Sequence, residues 1–413
     1  MFLFVHTNMA LEDLFSMVEK DFHKKLGKDR AFEIEYASDV NPVTGIIVDN
    51  PMLEYALDRR FLAYGRCYLT YGKKGCSKTS LFLNIAKLFQ QAGGDVVWIE
   101  TEKAADLDYA RRQGVDLKRL VMPKADTLQE ALTIAEGFIR NLPRAYPEGD
   151  TPVLICLDSI AGAIPEYETQ ADITVGETKV GEHARLMAGF YRRIIHPLAH
   201  EKAVFMALNQ LRAAIGKPSF GTEETEAMIG GEAQRFHSTY QWKMVRTADM
   251  VKKFPGGAER KIGSKHTLTC KRNKLGREGN SQKIEFDLYI DGGIDWWSPL
   301  VRKLASEYTN LVTRRGGYYY WEAPETLLEM EQVEGENGLT EQPVYIDTEK
   351  AYREAELAVV IQRSAAAKEL IRKEFGIPDL PEETVVKKVE ADNKKKRKSK
   401  KAVDEDDVIT ETL

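Results

Sequence analysis

The sequence predicts an α/β fold on a mostly parallel central sheet, and three observations carry that expectation. Four short apolar runs, at 66–70, 95–99, 153–157 and 204–208, read as buried strands. Segments with helical apolar spacing separate them, at 78–91, from 127 to 140 and at 183–200. Near-continuous apolar strands between helices are the signature of a parallel sheet covered on both faces. At 413 residues, 43% hydrophobic and 30% charged, the chain is long enough for two or three domains. That composition excludes a wholly disordered chain, a collagen-like one and a disulfide scaffold.

In chain order, residues 9–26 predict an amphipathic helix, with Met9, Leu11, Leu14, Phe15, Val18 and Phe22 on one face. Residues 29–51 read as loop. The strand at 66–70 runs into a glycine-rich loop and then the helix 78–91, ended by Gly93-Gly94. Thr127 and Glu130 form a capping box that opens the next helix, because hydroxyl and carboxylate each satisfy a free backbone N–H. After Lys265 the period changes to two, with Ile284, Phe286, Leu288 and Ile290, which predicts antiparallel strands added to the sheet edge. Ser298-Pro299 is expected to cap a helix, with proline at its first position. A small lobe follows, with a strand at 316–321 and one long charged helix over 348–375. The expected domains are an N-terminal helical region 1–45, a core 46–295, a C-terminal lobe 296–380 and a disordered tail 381–413. That tail carries nine Lys/Arg and two acidic residues over 387–401, then five acidic residues over 402–413. Such a run cannot bury enough apolar surface to fold. A solubilising tail without a partner is as good a reading as a functional one.

The formal net charge is -5, which excludes a uniformly basic nucleic-acid binder but not local basic surfaces. No stretch approaches the roughly 20 apolar residues a membrane helix needs, and 1–5 is too short for a signal-peptide core. Cys67, Cys76, Cys156 and Cys270 lie far apart with no Cys-x-x-Cys spacing, so a zinc site or disulfide framework is not expected.

Gly72-Lys73-Lys74-Gly75-Cys76-Ser77-Lys78-Thr79 nearly fits the phosphate-loop pattern G-x-x-x-x-G-K-[ST], with a strand before and a helix after. Such a loop points backbone N–H groups at phosphates, and the helix N-terminus adds favourable partial charge. Lys78 would reach the β- and γ-phosphates, and Thr79 would ligate Mg²⁺. Ser77 departs from the pattern, which has glycine there; its β-carbon penalises a positive φ. An adventitious Ser-Lys-Thr in a loop is the plain alternative. Asp158 ends a run of five apolar residues, where a Walker-B carboxylate would orient Mg²⁺; a simple helix cap is the competing reading. Glu102 follows the strand 95–99 and could polarise a water for attack on the γ-phosphate, with Glu100 as its competitor. Gln210 ends the strand at 204–208 and could sense the γ-phosphate without charge repulsion.

These residues resemble the RecA family of ATP-dependent DNA strand-exchange recombinases. Trp98 to Ala104, with Asp106, Tyr109-Ala110-Arg111 and Gly114-Val115-Asp116, is similar to that family's catalytic-glutamate segment. So are Leu157 to Ala161, Asn209-Gln210-Leu211-Arg212 with Ile215-Gly216, and Gly230-Gly231 with Ala233 and Phe236. The resemblance covers about 66–322 and is closest to a phage-type (UvsX-like) member, given Ser77, a divergent N-terminal region and a long C-terminal extension. It implies a RecA-type P-loop NTPase core with ATP and Mg²⁺ as cofactors. Lys78 and Thr79 would be phosphate-loop ligands, Glu102 the catalytic base and Asp158 the Walker-B residue. The nucleotide set also takes in Ser80, Asp106, Tyr109 and Tyr289, with the Tyr109 ring on the adenine. Arg272 and Lys274 match two lysines that reach the ATP of a neighbouring subunit; a solvated basic strand end is the bland alternative.

The resemblance further implies two mobile DNA-binding loops, at 166–180 and 211–228. Arg185, Arg192, Arg212 and the Gly230-Gly231 turn make up the DNA-contact set, although one of Arg192 and Arg193 reads as a solvated helix face. The implied partners are single- and double-stranded DNA and further copies of the chain in a helical filament. The N-terminal helix would dock on a neighbouring subunit, and Phe236 would be a subunit contact or a core residue. A single-strand-binding or mediator protein would be a further partner. No membrane partner is expected. The expected setting is cytoplasmic and nucleoid-associated, in a bacterial or phage-infected cell. A ring helicase with the same core and a non-catalytic mediator filament are the alternatives. The first lacks an evident N-terminal primase-binding domain, and the second finds its best support in Ser77 but is opposed by the joint presence of Glu102, Asp158 and Gln210.

Overall fold

The computed structural model describes residues 6–27, 42–170, 181–213, 226–276, 282–335 and 338–380. The chain divides into two compact units, Met1–Val43 and Thr44–Leu413. In the first, α1 (His6–Leu26) is the expected amphipathic helix, with Leu14, Met17 and Val18 exposed.

The second unit opens with β1 (Gly45–Ile47), α2 (Pro51–Leu57) and β2 (Phe61–Ala63), within and just past the stretch read as loop. Asn50 starts α2, its Oδ1 accepting from the Met52 and Leu53 N–H groups at 3.1 Å. The core follows as β3 (Arg66–Gly72), α3 (Lys78–Gln91), β4 (Asp95–Glu100), α4 (Leu107–Arg112), β5 (Leu120–Val121), α5 (Leu128–Ala145) and β6 (Val153–Asp158). It continues as α6 (Glu166–Gln170), α7 (Glu182–Ala199), β7 (Ala203–Ala213), β8 (Glu226–Met228), α8 (Ala233–His237), β9 (Tyr240–Lys253), β10 (Glu259–Asn273), β11 (Lys283–Tyr289) and β12 (Gly293–Asp295). The C-terminal lobe holds α9 (Trp297–Glu307), β13 (Val312–Arg315), β14 (Tyr318–Trp321), β15 (Leu327–Gly335), β16 (Gly338–Tyr345), α10 (Glu354–Arg363) and α11 (Ala365–Phe375).

One sheet runs in the order β12-β11-β10-β9-β3-β7-β6-β4-β5. From β5 to β9 the neighbours are parallel; from β9 to β12 they are antiparallel. The apolar runs are buried on both faces, as their lack of alternation requires. Val96, Trp98, Leu154, Cys156, Val204 and Met206 face α3 and the C-terminal lobe. Val97, Ile99, Ile155, Leu157, Phe205 and Ala207 face α5 and α7. The capping box at Thr127 and Glu130 is present.

Four expectations are corrected. Strand 204–208 extends to Ala213, because Leu211–Ala213 find partners in β8. The antiparallel region begins at Tyr240 rather than after Lys265, and β9 escaped notice because Arg246 and Asp249 interrupt its apolar pattern. Helix α9 starts at Trp297, and Asp295 Oδ1 accepts from the Trp297 and Ser298 N–H groups at 2.8 and 3.2 Å; Pro299 sits inside the first turn. The single helix over 348–375 is two, broken at Ser364. Its buried hydroxyl donates to the Leu327 carbonyl at 2.6 Å and accepts from the Ala367 N–H at 2.9 Å, capping the second helix. The tail 381–413 lies outside the described residues.

An ion cluster ties α11 to α2. Arg372 bonds Glu54 through Nε (2.6 Å) and Nη2 (2.8 Å), with Asp49 at 2.9 Å and Glu369 at 2.9 Å. Glu54 is fully buried, and burial, partly offset by Arg372, raises its pKa.

Candidate active site

The site lies beyond the C-terminal ends of β3, β4, β6 and β7, where an open α/β sheet leaves a crevice. Gly72 ends β3 against the Met244 carbonyl of β9; a β-carbon there would come 2.3 Å from that oxygen. Any larger residue would push the loop off the sheet. Lys73, Lys74 and Gly75 then turn outward as exposed residues, while Cys76 is buried. Lys78 opens α3, and its Nζ donates to the carbonyls of Lys73 (3.1 Å) and Gly72 (3.3 Å) and lies 3.7 Å from Cys76 Sγ. The amine is thus held within the loop.

Ser77 has φ 68° and ψ 34°, the left-handed region. A residue with a β-carbon adopts it at a cost of roughly 1–2 kcal/mol. The loop therefore keeps the glycine-type backbone conformation even though serine occupies the position.

Thr79 Oγ1 donates to Asp158 Oδ2 at 2.8 Å. Burial pushes Asp158 up to about 6, with Glu102 and Glu100 adding to the rise and Thr79 and Lys78 opposing it. A buried carboxylate bonded to a threonine hydroxyl, both oxygen donors, fits a hard divalent cation such as Mg²⁺. On the far side, Glu102 Oε1 accepts from Ser159 Oγ at 2.7 Å and from Gln210 Nε2 at 2.8 Å. Glu100 faces another way. Its Oε1 accepts from the backbone N–H groups of Glu102 (2.9 Å) and Ala104 (3.3 Å), so it builds the turn that presents Glu102.

Asp106 caps α4 by accepting from the Tyr109 N–H at 2.8 Å, and the Tyr109 hydroxyl bonds Ser80 Oγ on α3 at 2.8 Å. The strand register carries Tyr289 past the same sheet edge, since Gly72 pairs with Met244, Met244 with Leu268, and Leu268 with Ile284.

Arg272 and Lys274 are elsewhere. Tyr68, near the start of β3, pairs with Tyr240, which pairs with Asn273. The basic pair therefore sits at the entry end of β3 and the phosphate loop at its exit, with Tyr68 to Gly72 alone spanning roughly 13 Å. Arg272 Nη1 donates to the Arg235 carbonyl at 3.3 Å. Lys274 Nζ donates to the Phe236 carbonyl and lies 5.6 Å from the ring centroid of Phe236, which is 66% exposed. Burial, then Arg272, lowers the pKa of Lys274.

Of the residues expected to contact DNA, Arg185 is exposed and pairs with Glu182 at 2.8 Å. Arg192 is exposed with Nε on the Ala188 carbonyl, whereas Arg193 is tied to Glu136 at 2.7 Å. Arg212 is exposed on β7 opposite Ala227. Gly230 and Gly231 both have positive φ, and a β-carbon on Gly231 would lie 2.6 Å from that of Ala184. Residues 171–180 and 214–225, the greater part of both expected loops, lie outside the described residues.

Sequence reasoning missed a buried amide pair. Asn209 Nδ2 donates to Gln234 Oε1 (2.8 Å) and to the Ile229 carbonyl (2.7 Å); Gln234 Nε2 donates to the carbonyls of Ile229 (2.6 Å) and Gly231 (3.0 Å). The pair joins the strand carrying Gln210 to the glycine turn and to α8. It also missed the basic hairpin of β9 and β10, where Lys252 and Arg260 flank the Phe254 ring at 5.5 and 5.7 Å.

A phosphate loop at a parallel sheet's exit edge, with a Thr–Asp pair beside it, defines a P-loop nucleotide-binding protein. The family model for the RecA N-terminal domain matches residues 10–295. Protein RecA of Clostridium botulinum (strain Alaska E43 / Type E3) is 31% identical over 289 residues, covering 69% of this chain and 73% of that protein. Protein RecA of Clostridioides difficile (strain 630) is 31% identical over 314 residues, covering 75% and 81%. That of Bdellovibrio bacteriovorus is 30% identical over 314 residues, covering 75% and 76%. The chain belongs to the RecA family. That relation carries a general role in DNA recombination and repair, with ATP and Mg²⁺ as the family's ligands. Among the described residues no helix is long and apolar enough to cross a membrane.

Proposed function

We propose that the chain is a DNA-dependent ATPase that forms helical filaments on single-stranded DNA and catalyses homologous pairing and strand exchange. The observation that carries this reading is the hydrogen bond between Gln210 and Glu102. It joins a carboxylate at the phosphate site to the strand that leads into the second expected DNA loop, 211–228. DNA at that loop and the state of the nucleotide then bear on one contact.

In hydrolysis, Glu102 takes a proton from a water whose oxygen attacks the γ-phosphorus; the bond to the β-phosphate oxygen breaks and ADP leaves. Lys78 offsets charge on the β- and γ-phosphates. Thr79 and Asp158 would hold Mg²⁺, which neutralises phosphate charge when bound. Tyr109, Asp106, Ser80 and Tyr289 line the base side. Arg272 and Lys274 act on the nucleotide of the next subunit, a reading supported by their place at the opposite end of β3.

Head-to-tail growth needs a donor and an acceptor surface. The acceptor is an apolar groove of about 730 Å³ along α5 and β5, lined by Val121, Ile134, Phe138 and Leu142. Its occupant is α1 of another copy, whose Leu14, Met17 and Val18 are exposed. Repetition of Arg185, Arg192 and Arg212 along a filament makes a basic track from an acidic chain, and the β9–β10 hairpin adds cations for duplex DNA. The phage-type (UvsX-like) assignment rests on Ser77, the divergent N-terminal region and the long C-terminal extension, and a nucleoid-associated, cytoplasmic setting follows from the DNA partners. Negative-stain microscopy with single-stranded DNA, with and without an ATP analogue, tests the whole. Nucleotide-dependent helical filaments are expected. Closed rings would instead mean a helicase, and nucleotide-indifferent assemblies a mediator.

A further inference from the structure

The phosphate loop has a support that belongs neither to the loop nor to the strand before it. Ser77 Oγ makes no capping bond to α3. It lies instead 3.3 Å from His266 Nε2 on β10. The same nitrogen lies 2.8 Å from Ser264 Oγ. His266 is 1% exposed and stacks on Phe286, with centroids 5.0 Å apart and planes at 9°. Phe286 in turn packs on Trp296 at 5.0 Å. The imidazole is therefore a fixed post: strand register sets its position, an aromatic stack its plane, and Ser264 its rotation. Burial and the Arg246 charge push its pKa down to about 4, against an upward pull from the Cys76 backbone. The ring is neutral at pH 7, and its Nε2 carries one proton or one lone pair, which Ser77 at 3.3 Å shares with Ser264 at 2.8 Å.

The left-handed conformation at Ser77 has to be held, because a residue with a β-carbon leaves it readily for the right-handed or extended regions. Ser77 immediately precedes Lys78, so that change would swing the Lys78 N–H and the loop's other N–H groups away from one concave anion site. Glycine at this position would adopt the form without steric cost. Serine needs an anchor, and His266 supplies it.

We propose that His266 is a positioning residue for nucleotide binding, which holds Ser77 in the left-handed conformation that shapes the phosphate loop. This rests on the reading of the loop as the ATP site. His266 touches no phosphate in this role; it acts only through Ser77.

The test is a coupling measurement on the full chain, using titration with a fluorescent ATP analogue in Mg²⁺ and a melting curve without nucleotide. His266→Ala should weaken analogue binding roughly fivefold, the scale of one hydrogen bond. Ser77→Ala, which keeps the β-carbon and leaves the core untouched, should weaken it by a similar factor. Ser77→Gly should bind at least as tightly as the parent. The double variant Ser77→Gly with His266→Ala should bind as Ser77→Gly does, even if its melting temperature falls as far as that of His266→Ala. General damage from an emptied imidazole site would not be rescued by a glycine in the loop. If His266→Ala weakens binding equally in the serine and glycine backgrounds, or Ser77→Ala has no effect, the proposal is overturned. Should His266→Ala prove too unstable to titrate, His266→Gln measured with Ser77 and with Ser77→Gly makes the same comparison. No binding by the parent chain would overturn the ATP-site reading itself, a different outcome from bound analogue without coupling.

Discussion

Gln210 donates its Nε2–H to Glu102 Oε1 at 2.8 Å, the same oxygen that accepts from Ser159 Oγ at 2.7 Å. A carboxylate oxygen with two donors is held in place. If the γ-phosphate draws the Gln210 amide away, Glu102 gains a lone pair for water at that moment.

Glu102→Gln should therefore keep nucleotide binding and lose turnover by a factor on the order of 10² or more, as for removal of a general base. Glu100→Gln should lose far less, because Glu100 accepts backbone N–H groups and an amide oxygen can do the same. Phosphate release and analogue binding measured on both variants decide the assignment. A reversed ranking would move the base to Glu100.

Asp158 gives a pH prediction. Its pKa rises from 3.8 to about 6 on folding, chiefly by burial. Between those values the folded chain holds the extra proton, so this group's contribution to stability is full below pH 4 and is lost as pH rises through 6. A rise of that size corresponds to about 3 kcal/mol as an upper bound at pH 7.5. Without nucleotide or Mg²⁺, Asp158→Asn should melt higher than the parent at pH 7.5, and the gap should shrink at pH 5. A gap independent of pH would mean that Asp158 is not strained by ionisation.

The cluster at Arg372 predicts a stability loss with no effect on nucleotide chemistry. Arg372→Ala leaves Glu54 buried without its cation, at a cost on the order of 3–5 kcal/mol. The Glu54 pKa is already raised, so its ionisation should become costlier and the loss should be larger at pH 8 than at pH 5. Adding Glu54→Gln should recover part of it. Melting curves of the three proteins at both pH values check this; an unchanged melting temperature for Arg372→Ala would show the cluster to be ornamental.

Legibility followed the range over which each feature is determined. The phosphate loop, the apolar strands and the Thr127 capping box are set within a few residues, and pattern alone placed them. The choice between Glu100 and Glu102 was not, because both follow the same strand and only the turn between them shows which one is occupied with backbone. Asn209 directly follows the apolar run 203–208, whereas Gln234 lies in a polar stretch, and their pairing arises from a contact across 25 positions. His266 reads as one more residue of a strand; its bond to Ser77 depends on a register 189 positions away. Ser364 splits the charged helix because the Leu327 carbonyl competes for its hydroxyl, a tertiary contact that helical periodicity does not encode.

Register also decides the last prediction. Arg272 and Lys274 lie at the entry end of β3 and the phosphate loop at its exit, so within one subunit the β-sheet stands between the cations and the nucleotide. If they act on ATP at all, they act on a neighbour's. Arg272→Ala and Lys274→Ala should each lower DNA-stimulated hydrolysis on the order of tenfold or more, because a transition state short of one cation is poorly stabilised. Each should leave analogue binding by dispersed subunits close to the parent's. Mixing either variant with Glu102→Gln protein should then restore part of the activity. In a mixed assembly some junctions place an intact Glu102 site beside an intact basic pair, and recovery should peak near equal proportions. Steady-state phosphate release across mixing ratios, with single-stranded DNA present, makes the measurement. A flat response at every ratio would place the cations' effect inside one subunit, against the geometry of β3, or would reduce them to the solvated strand end that their sequence alone suggests.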